Sequence, residues 1–406
     1  MSKHTYYRLM LKLASPLALG SGKNDLSDHD CVRHNNGSPF IPASSIAGVF
    51  RHYFDKDITL QKALFGSIEN GIKQSGVIFY DAELRNKSVL SIRDSVKLKN
   101  KVGVDGAKFD MEIVETGAEF VTFIELEKDY SSFQRNIEDA VAALGDSILR
   151  FGAKTSRGYG MVEICSLKKA EFDLDIPEET EKWLNFDIFD DNSWVAVADF
   201  APHQIEQDSL CIRLLLRQKG AVSVRVYTTE TSSIKKNMPD YKHITLRNGA
   251  PVIPGTSWAG AFRERYDKFA GKARTDALFG FVEENTGITQ RSRIQFSESV
   301  IKDYVFKDVT RNSIDRFSAN TKDGALYTER TCYNGTTELV IIVPSDTGDD
   351  EKKCLSAVIS DLNNGFLAVG GLTSVGHGMF TIQKISVNGK DRSELLDNDD
   401  LSDIWR

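Results

Sequence analysis

The chain has 406 residues, of which 41% are hydrophobic and 27% charged, and its formal net charge is −7. That length exceeds one ordinary core and predicts two domains of about 150–200 residues, while no apolar run is long enough to cross a bilayer. The five cysteines are scattered, with no CxxC and no Cys/His pair at zinc spacing, which excludes a zinc finger and predicts reduced thiols in a cytoplasmic protein.

In chain order, "TYYRLMLKLA" alternates as an opening strand, not as a signal peptide. A polar loop, "DLSDHDCVRHNNG", leads to "GSPFIPASSIAGVFRHYF", read as a helix behind a proline turn with Ser where an N-cap belongs. A short helical piece ends at Ala63–Gly66, and a basic insertion, "SIRDSVKLKNKVGVDGAKF", follows. The strand "AEFVTFIELE" then precedes a helix whose stripe is Phe133, Ile137, Val141, Leu144 and Ile148. The glycine loop "FGAKTSRGYG" and a last strand close the unit.

From Ala170 to Ser209 twelve acids face a single base, Lys182; without that stretch the chain carries 50 bases against 46 acids. The last seventeen residues hold six acids and three bases. An acidic total therefore coexists with basic clusters elsewhere.

The second half repeats the first. "GAPVIPGTSWAGAFRERY" aligns without a gap on the earlier proline-turn helix at an offset of 212, and "ALFG" recurs at Ala277–Gly280. "SLCIRLLLRQ" is the second opening strand, and "VTRNSIDRFSANTKDGALYTERT" the second insertion. "TELVIIVP" is the strand after it. A helix carrying Leu355, Val358, Ile359 and Leu362 ends at Asn364–Gly365. The loop returns as "VGGLTSVGHG", its two bases gone. Each half reads strand–helix–strand–strand–helix–strand, so the expected fold is α+β: two tandem ferredoxin-like (RRM-like) domains, each with an inserted hairpin. The expected boundaries are 1–169, an acidic connector over 170–208, a second unit over 209–390 and an acidic tail over 391–406.

Neither glycine loop is a Walker loop, because GxxxxGK[ST] is absent. In the first, Lys154 and Arg157 can meet phosphates, with Thr155 and Ser156 adding hydroxyls; the neutral second copy reads as a tight helix-to-strand turn. Arg51 and Arg263 sit two turns into helices whose starts attract anions, although a plain capped core helix has the same pattern. In the insertions, Arg93, Lys97, Lys99, Lys101 and Lys108, and then Arg311, Arg316, Lys322 and Arg330, suit a nucleic-acid backbone. Phe109, Phe317 or Tyr327 could wedge against bases. Asp28 and Asp240 fall at matched places in the loops before the proline turns. A lone Asp in such a loop commonly forms an Asx-turn, and no second carboxylate is matched, so a preformed two-metal site is not expected.

Together these residues resemble the RAMP superfamily of CRISPR systems, particularly the guide-binding backbone subunits of type III effector complexes. The resemblance rests on P-[FV]-I-P-x-[ST]-S-x-x-G-x-x-R, on the late glycine loop, and on a "thumb" pattern clearest at Arg311, Ile314, Asp315, Gly324, Leu326 and Glu329. In the first half only Val104–Asp105 matches that pattern. The resemblance implies RRM-like units that grip crRNA, with thumbs that intrude between guide and target RNA. Two units in one chain resemble the fused subunits of type III-D-like systems. It also implies other CRISPR effector subunits as partners, no membrane and no organic cofactor. Asp28 and Asp240 would be catalytic in target cleavage, with a divalent metal (Mg or Mn) at Asp28, making the chain a metal-dependent endoribonuclease within a complex. Two alternatives stay open: a non-catalytic structural crRNA-binding subunit, and a metal-independent guide-processing ribonuclease with His29 or His377 as base.

Overall fold

The computed structural model describes residues 3–22, 30–68, 72–87, 90–99, 102–145, 148–201, 209–226, 239–283, 287–322, 324–398 and 401–405, without the side chains of 21–22, 94–99, 102–108 and 397–398. The chain divides into two units, Met1–Thr155 with Tyr159–Gln207, and Ser156–Gly158 with Asp208–Arg406.

Both units are built on one antiparallel plan. In the first, Val162–Phe172 pairs with His4–Leu13, which pairs with Glu119–Leu126, which pairs with Val77–Phe79. In the second, Met379–Val387, Ser209–Lys219, Thr336–Pro344 and Gln295–Phe296 follow in the same sequence. The last strand lies beside the first and the first beside the third, which is the ferredoxin-like order. Even an irregularity is duplicated. The opening strand slips against the last one at Met10/Leu11 and again at Leu215/Leu216, where a single extra residue forms a bulge.

Alternation fixes the inward faces. Tyr7, Leu9, Leu11 and Leu13 enter a core with Ile137, Val141 and Leu144. Ile212, Leu214 and Leu216 do the same with Leu355, Val358, Ile359 and Leu362. Each such side chain contributes about 1.5–3 kcal/mol by burial. Pro42 and Pro254 occupy the N-cap positions of Ala43–Tyr53 and Gly255–Ala270, neither with a side-chain cap. The hydroxyls expected to cap therefore lie inside the first turn. At the first helix Asp81 takes over, accepting from the Ala43 N–H at 2.6 Å. The helix expected to carry Phe133, Ile137, Val141, Leu144 and Ile148 is split: Phe133 ends a 3₁₀ turn, Lys128–Phe133, and the next three lie on an α-helix, Gln134–Gly145.

Two acidic segments differ from expectation. The stretch after Ala170 is more than a connector: Phe172, Ile188 and Trp194 pack with Tyr6, Val121 and Phe123 on the far face of the first sheet. Asp191 accepts from Arg8 at 2.7 Å and from Arg85 at 3.0 Å, while Trp183 donates to the Tyr6 hydroxyl at 3.0 Å. Its aromatics supply the apolar burial that an acid count conceals. The C-terminal segment likewise buries Leu401 and Ile404 in the second core, and Trp405 donates to Ser356 Oγ at 2.6 Å.

Candidate nucleic-acid interface

The two glycine loops share one backbone. A 3₁₀ turn runs over Thr155–Arg157 in one and Thr373–Val375 in the other. Lys154 and Leu372, at matched positions, both take φ of 57°. The first loop docks through Ala153 N–H on the Ala18 carbonyl at 2.8 Å, the second through Gly371 N–H on the Ser223 carbonyl at 2.7 Å. Gly160 and Gly378 have φ of 75° and 80°, and a Cβ on either would overlap the carbonyl oxygen of Phe151 or Val369. Only glycine fits both requirements.

Each loop lies against the base of a thumb. In the first unit Leu90–Lys99 pairs with Val102–Val114, and in the second Val305–Arg311 pairs with Tyr327–Tyr333. Between the second pair, the Asp315 carboxylate accepts from the N–H groups of Phe317 at 2.9 Å and Ser318 at 3.0 Å, closing a turn on which Phe317 is 100% exposed. Those bonds hold the Asp315 carboxyl below its ordinary range. Asp240 is exposed and accepts from the Thr328 N–H at 2.7 Å, so it ties its loop to the thumb instead of closing an Asx-turn.

The thumb bases differ in chemistry. The pairs Leu17–Val114 and Val222–Cys332 fix the register. Ala18, Met111 and Tyr159 of the first unit then correspond to Ser223, Glu329 and His377 of the second. The first three form an apolar cluster with Ile113. The second three form a polar one. Glu329 is fully buried and accepts from Ser223 Oγ at 2.5 Å, from Arg225 Nε and Nη2 at 2.9 and 3.0 Å, and from Arg311 Nη1 at 3.3 Å. Arg311 Nη2 also lies 2.9 Å from His377 Nε2. Burial works to raise the Glu329 carboxyl, but the bonds from Arg225 and Ser223 outweigh it and hold it below its ordinary range. Burial lowers the His377 imidazole, and Arg311 adds to the effect.

In both units a cation sits on an aromatic ring at the base of the thumb. Lys154 Nζ lies 4.0 Å from the centre of the Phe109 ring. Arg225 lies 4.5 Å from that of Tyr241, whose ring meets Tyr327, the counterpart of Phe109, edge-on at 5.8 Å. The bridges Gly20–Cys31 and Arg225–His243 make Arg225 the counterpart of Gly20.

The family model of the RAMP superfamily matches residues 10–163 and again 220–381, which together exceed half of the chain. The chain belongs to the RAMP superfamily. Among solved structures, a chain of the type III-B Cmr-beta complex bound to cognate target RNA is similar at 18% identity, with a TM-score of 0.34. The alignment covers 42% of this chain and 61% of that one, so this chain spans less than two thirds of that chain's length. No curated protein matches it.

Within the two RAMP units the other expected site residues fare unequally. Asp28 and His29 lie outside the described residues, as do the side chains of Lys97 and Lys99. Arg51, Arg157 and Arg316 are exposed and Ser156 is half-buried. Arg93 and Thr155 are buried, and Arg150 donates to the Thr155 carbonyl at 2.9 Å, so these two belong to the framework of thumb and loop. Arg263 is also reassigned. It donates to the Gly280 carbonyl at 2.7 Å and to Asp276 at 2.5 Å, clamping two successive helices. His377 faces a guanidinium, which disfavours the protonated form a general base must reach.

Asp240 supplies one carboxylate, and no group of three His, Cys, Asp or Glu side chains able to hold a metal occurs among the described residues. No helix among them is long and apolar enough to cross a membrane. Arg225 was missed because nothing local marks it; the signal was an arginine standing where the first unit has a glycine.

Proposed function

We propose that this chain is a crRNA-binding backbone subunit of a type III CRISPR ribonucleoprotein, which holds guide RNA for pairing with target RNA beside other effector subunits. The observation that carries the reading is the duplicated unit itself: a glycine loop, a cation on an aromatic ring and a projecting thumb, twice in one RAMP chain. Repetition suits a polymer with a regular backbone, which meets equivalent contacts in register. The fully exposed Phe317, on a turn tied by Asp315, suits insertion between bases. Purifying the native complex and sequencing its RNA tests this: short guides of uniform origin are expected, and RNA-free protein would contradict it.

The finer reading adds cleavage of the target at fixed intervals, with Asp28 and Asp240 each serving one cut and a divalent metal at Asp28. The matched positions of the two acids before the proline turns support it. Asp28→Asn and Asp240→Asn should each erase a different product band on a labelled complementary RNA while target binding persists. A chelator should remove the Asp28 band. A second reading, a non-catalytic scaffold, is favoured by the bond from Thr328 to Asp240, which gives that carboxylate a structural use. Product bands unchanged in both variants would establish the scaffold.

A further inference from the structure

The neutral second glycine loop has two arginines beside it that the first loop lacks. By the thumb register, Arg225 stands where the first unit has Gly20 and Arg311 where it has Ser95. Conversely, Leu372 and Val375 replace Lys154 and Arg157. Two cations leave the loop and two appear on the segments next to it.

We infer that the second unit carries its own binding site for a backbone phosphate of single-stranded RNA, made by Arg225 and Arg311 and set in place by Glu329. Each guanidinium has five N–H donors. Among the described residues, Glu329 takes two from Arg225, while Glu329 and His377 take one each from Arg311. Donors therefore remain on both groups, whose side chains keep 28% exposure while the carboxylate between them has none. One acid against two bases leaves one positive charge in the cluster, matching one phosphodiester; Asp240 stands nearby, bonded to the Thr328 N–H.

A second observation points the same way. His377 Nε2 accepts from Arg311, which puts the imidazole proton on Nδ1. His377 is 6% exposed, and its Nδ1 has no hydrogen-bond partner among the described residues. A buried donor of that kind is costly unless an acceptor arrives. The apolar Ala18, Met111 and Tyr159 leave no such group in the first unit. Glu329 is thus a positioning residue: it lends no affinity of its own and repels an anion, yet it holds both arginines at the loop.

This inference rests on the proposed RNA-binding function, and one titration separates the two. Anisotropy of a fluorescein-labelled single-stranded RNA is followed across a salt series with the full chain, Lys154→Gln/Arg157→Gln, Arg225→Gln and Glu329→Gln. Arg225→Gln should reduce the slope of log affinity against log salt by about 0.7. Glu329→Gln should weaken binding by roughly tenfold although it adds a positive charge. Charge alone predicts tighter binding, so a tighter Glu329→Gln complex overturns the positioning role. If Glu329→Gln fails to fold, the half-exposed Arg225→Gln decides the matter: an unchanged slope overturns the site. If the slope then still falls in Lys154→Gln/Arg157→Gln, the proposed function survives without the inference. A wild-type chain that does not bind the RNA removes both.

Discussion

The two thumb bases solve one packing problem in two ways. Ala18, Met111 and Tyr159 fill the space behind the first loop with apolar atoms, and the loop itself carries the cations. Ser223, Glu329 and His377 fill the matched space with a buried polar cluster, and the neighbouring segments carry the cations. The difference teaches that a duplicated unit keeps two cations near its loop while moving their place in the chain. A buried carboxylate is tolerated there because two guanidiniums and a hydroxyl meet its oxygens; without them its desolvation would be unfavourable.

What the two units share should be the most sensitive to change. Gly160→Ala and Gly378→Ala each put a Cβ onto a carbonyl oxygen at a left-handed φ. Each should destabilise its own unit by more than about 2 kcal/mol. Peptide-resolved hydrogen exchange is the check, and a large loss in one variant with none in the other would break the equivalence.

A smaller effect sharpens the contrast. His243 occupies the place of Cys31 and is held neutral: Nδ1 accepts from the Val224 N–H at 3.0 Å and Nε2 donates to the Val252 carbonyl at 3.0 Å. Burial lowers its pKa from 6.5 to about 4. Between those values the unfolded chain binds the extra proton and the folded one does not, so stability falls as pH falls. The loss should reach about 3 kcal/mol near pH 4. At the matched place burial pushes the Cys31 thiol up to about 11, so it stays neutral throughout that window. Chemical denaturation from pH 7 to pH 4 should show His243→Gln with a flatter profile than the parent chain; identical profiles would contradict the assignment.

Phe317→Ala should leave stability within about 0.5 kcal/mol, since the residue is fully exposed. It should weaken RNA binding by about 1–3 kcal/mol if the ring stacks on a base. Paired melting and anisotropy measurements separate the two effects.

Much of this fold was legible. Period-two alternation gave both opening strands, and proline, glycine and the apolar stripes gave the helices and their order. The repeat gave the ferredoxin-like topology twice. What escaped were contacts between distant residues. Arg225 and Glu329 lie 104 positions apart, and no local pattern announces that they meet. The thumb pattern named Arg311 and Glu329 without disclosing that one grips the other. The acidic stretch hid its packing because charge was counted before its aromatics. Arg263 looked like a phosphate ligand because sequence spacing cannot show the carbonyl and carboxylate that engage it.

The central claim is that each unit grips the RNA backbone with two cations, placed on the loop in one and beside it in the other. Salt dependence of RNA affinity tests it most directly, in Lys154→Gln/Arg157→Gln, in Arg225→Gln/Arg311→Gln and in the combined variant. The first pair should lower the slope by roughly one to one and a half, the second, which holds a single phosphate, by about 0.7, and the combined variant by the sum. A slope that falls for the first pair and stays unchanged for the second would contradict it.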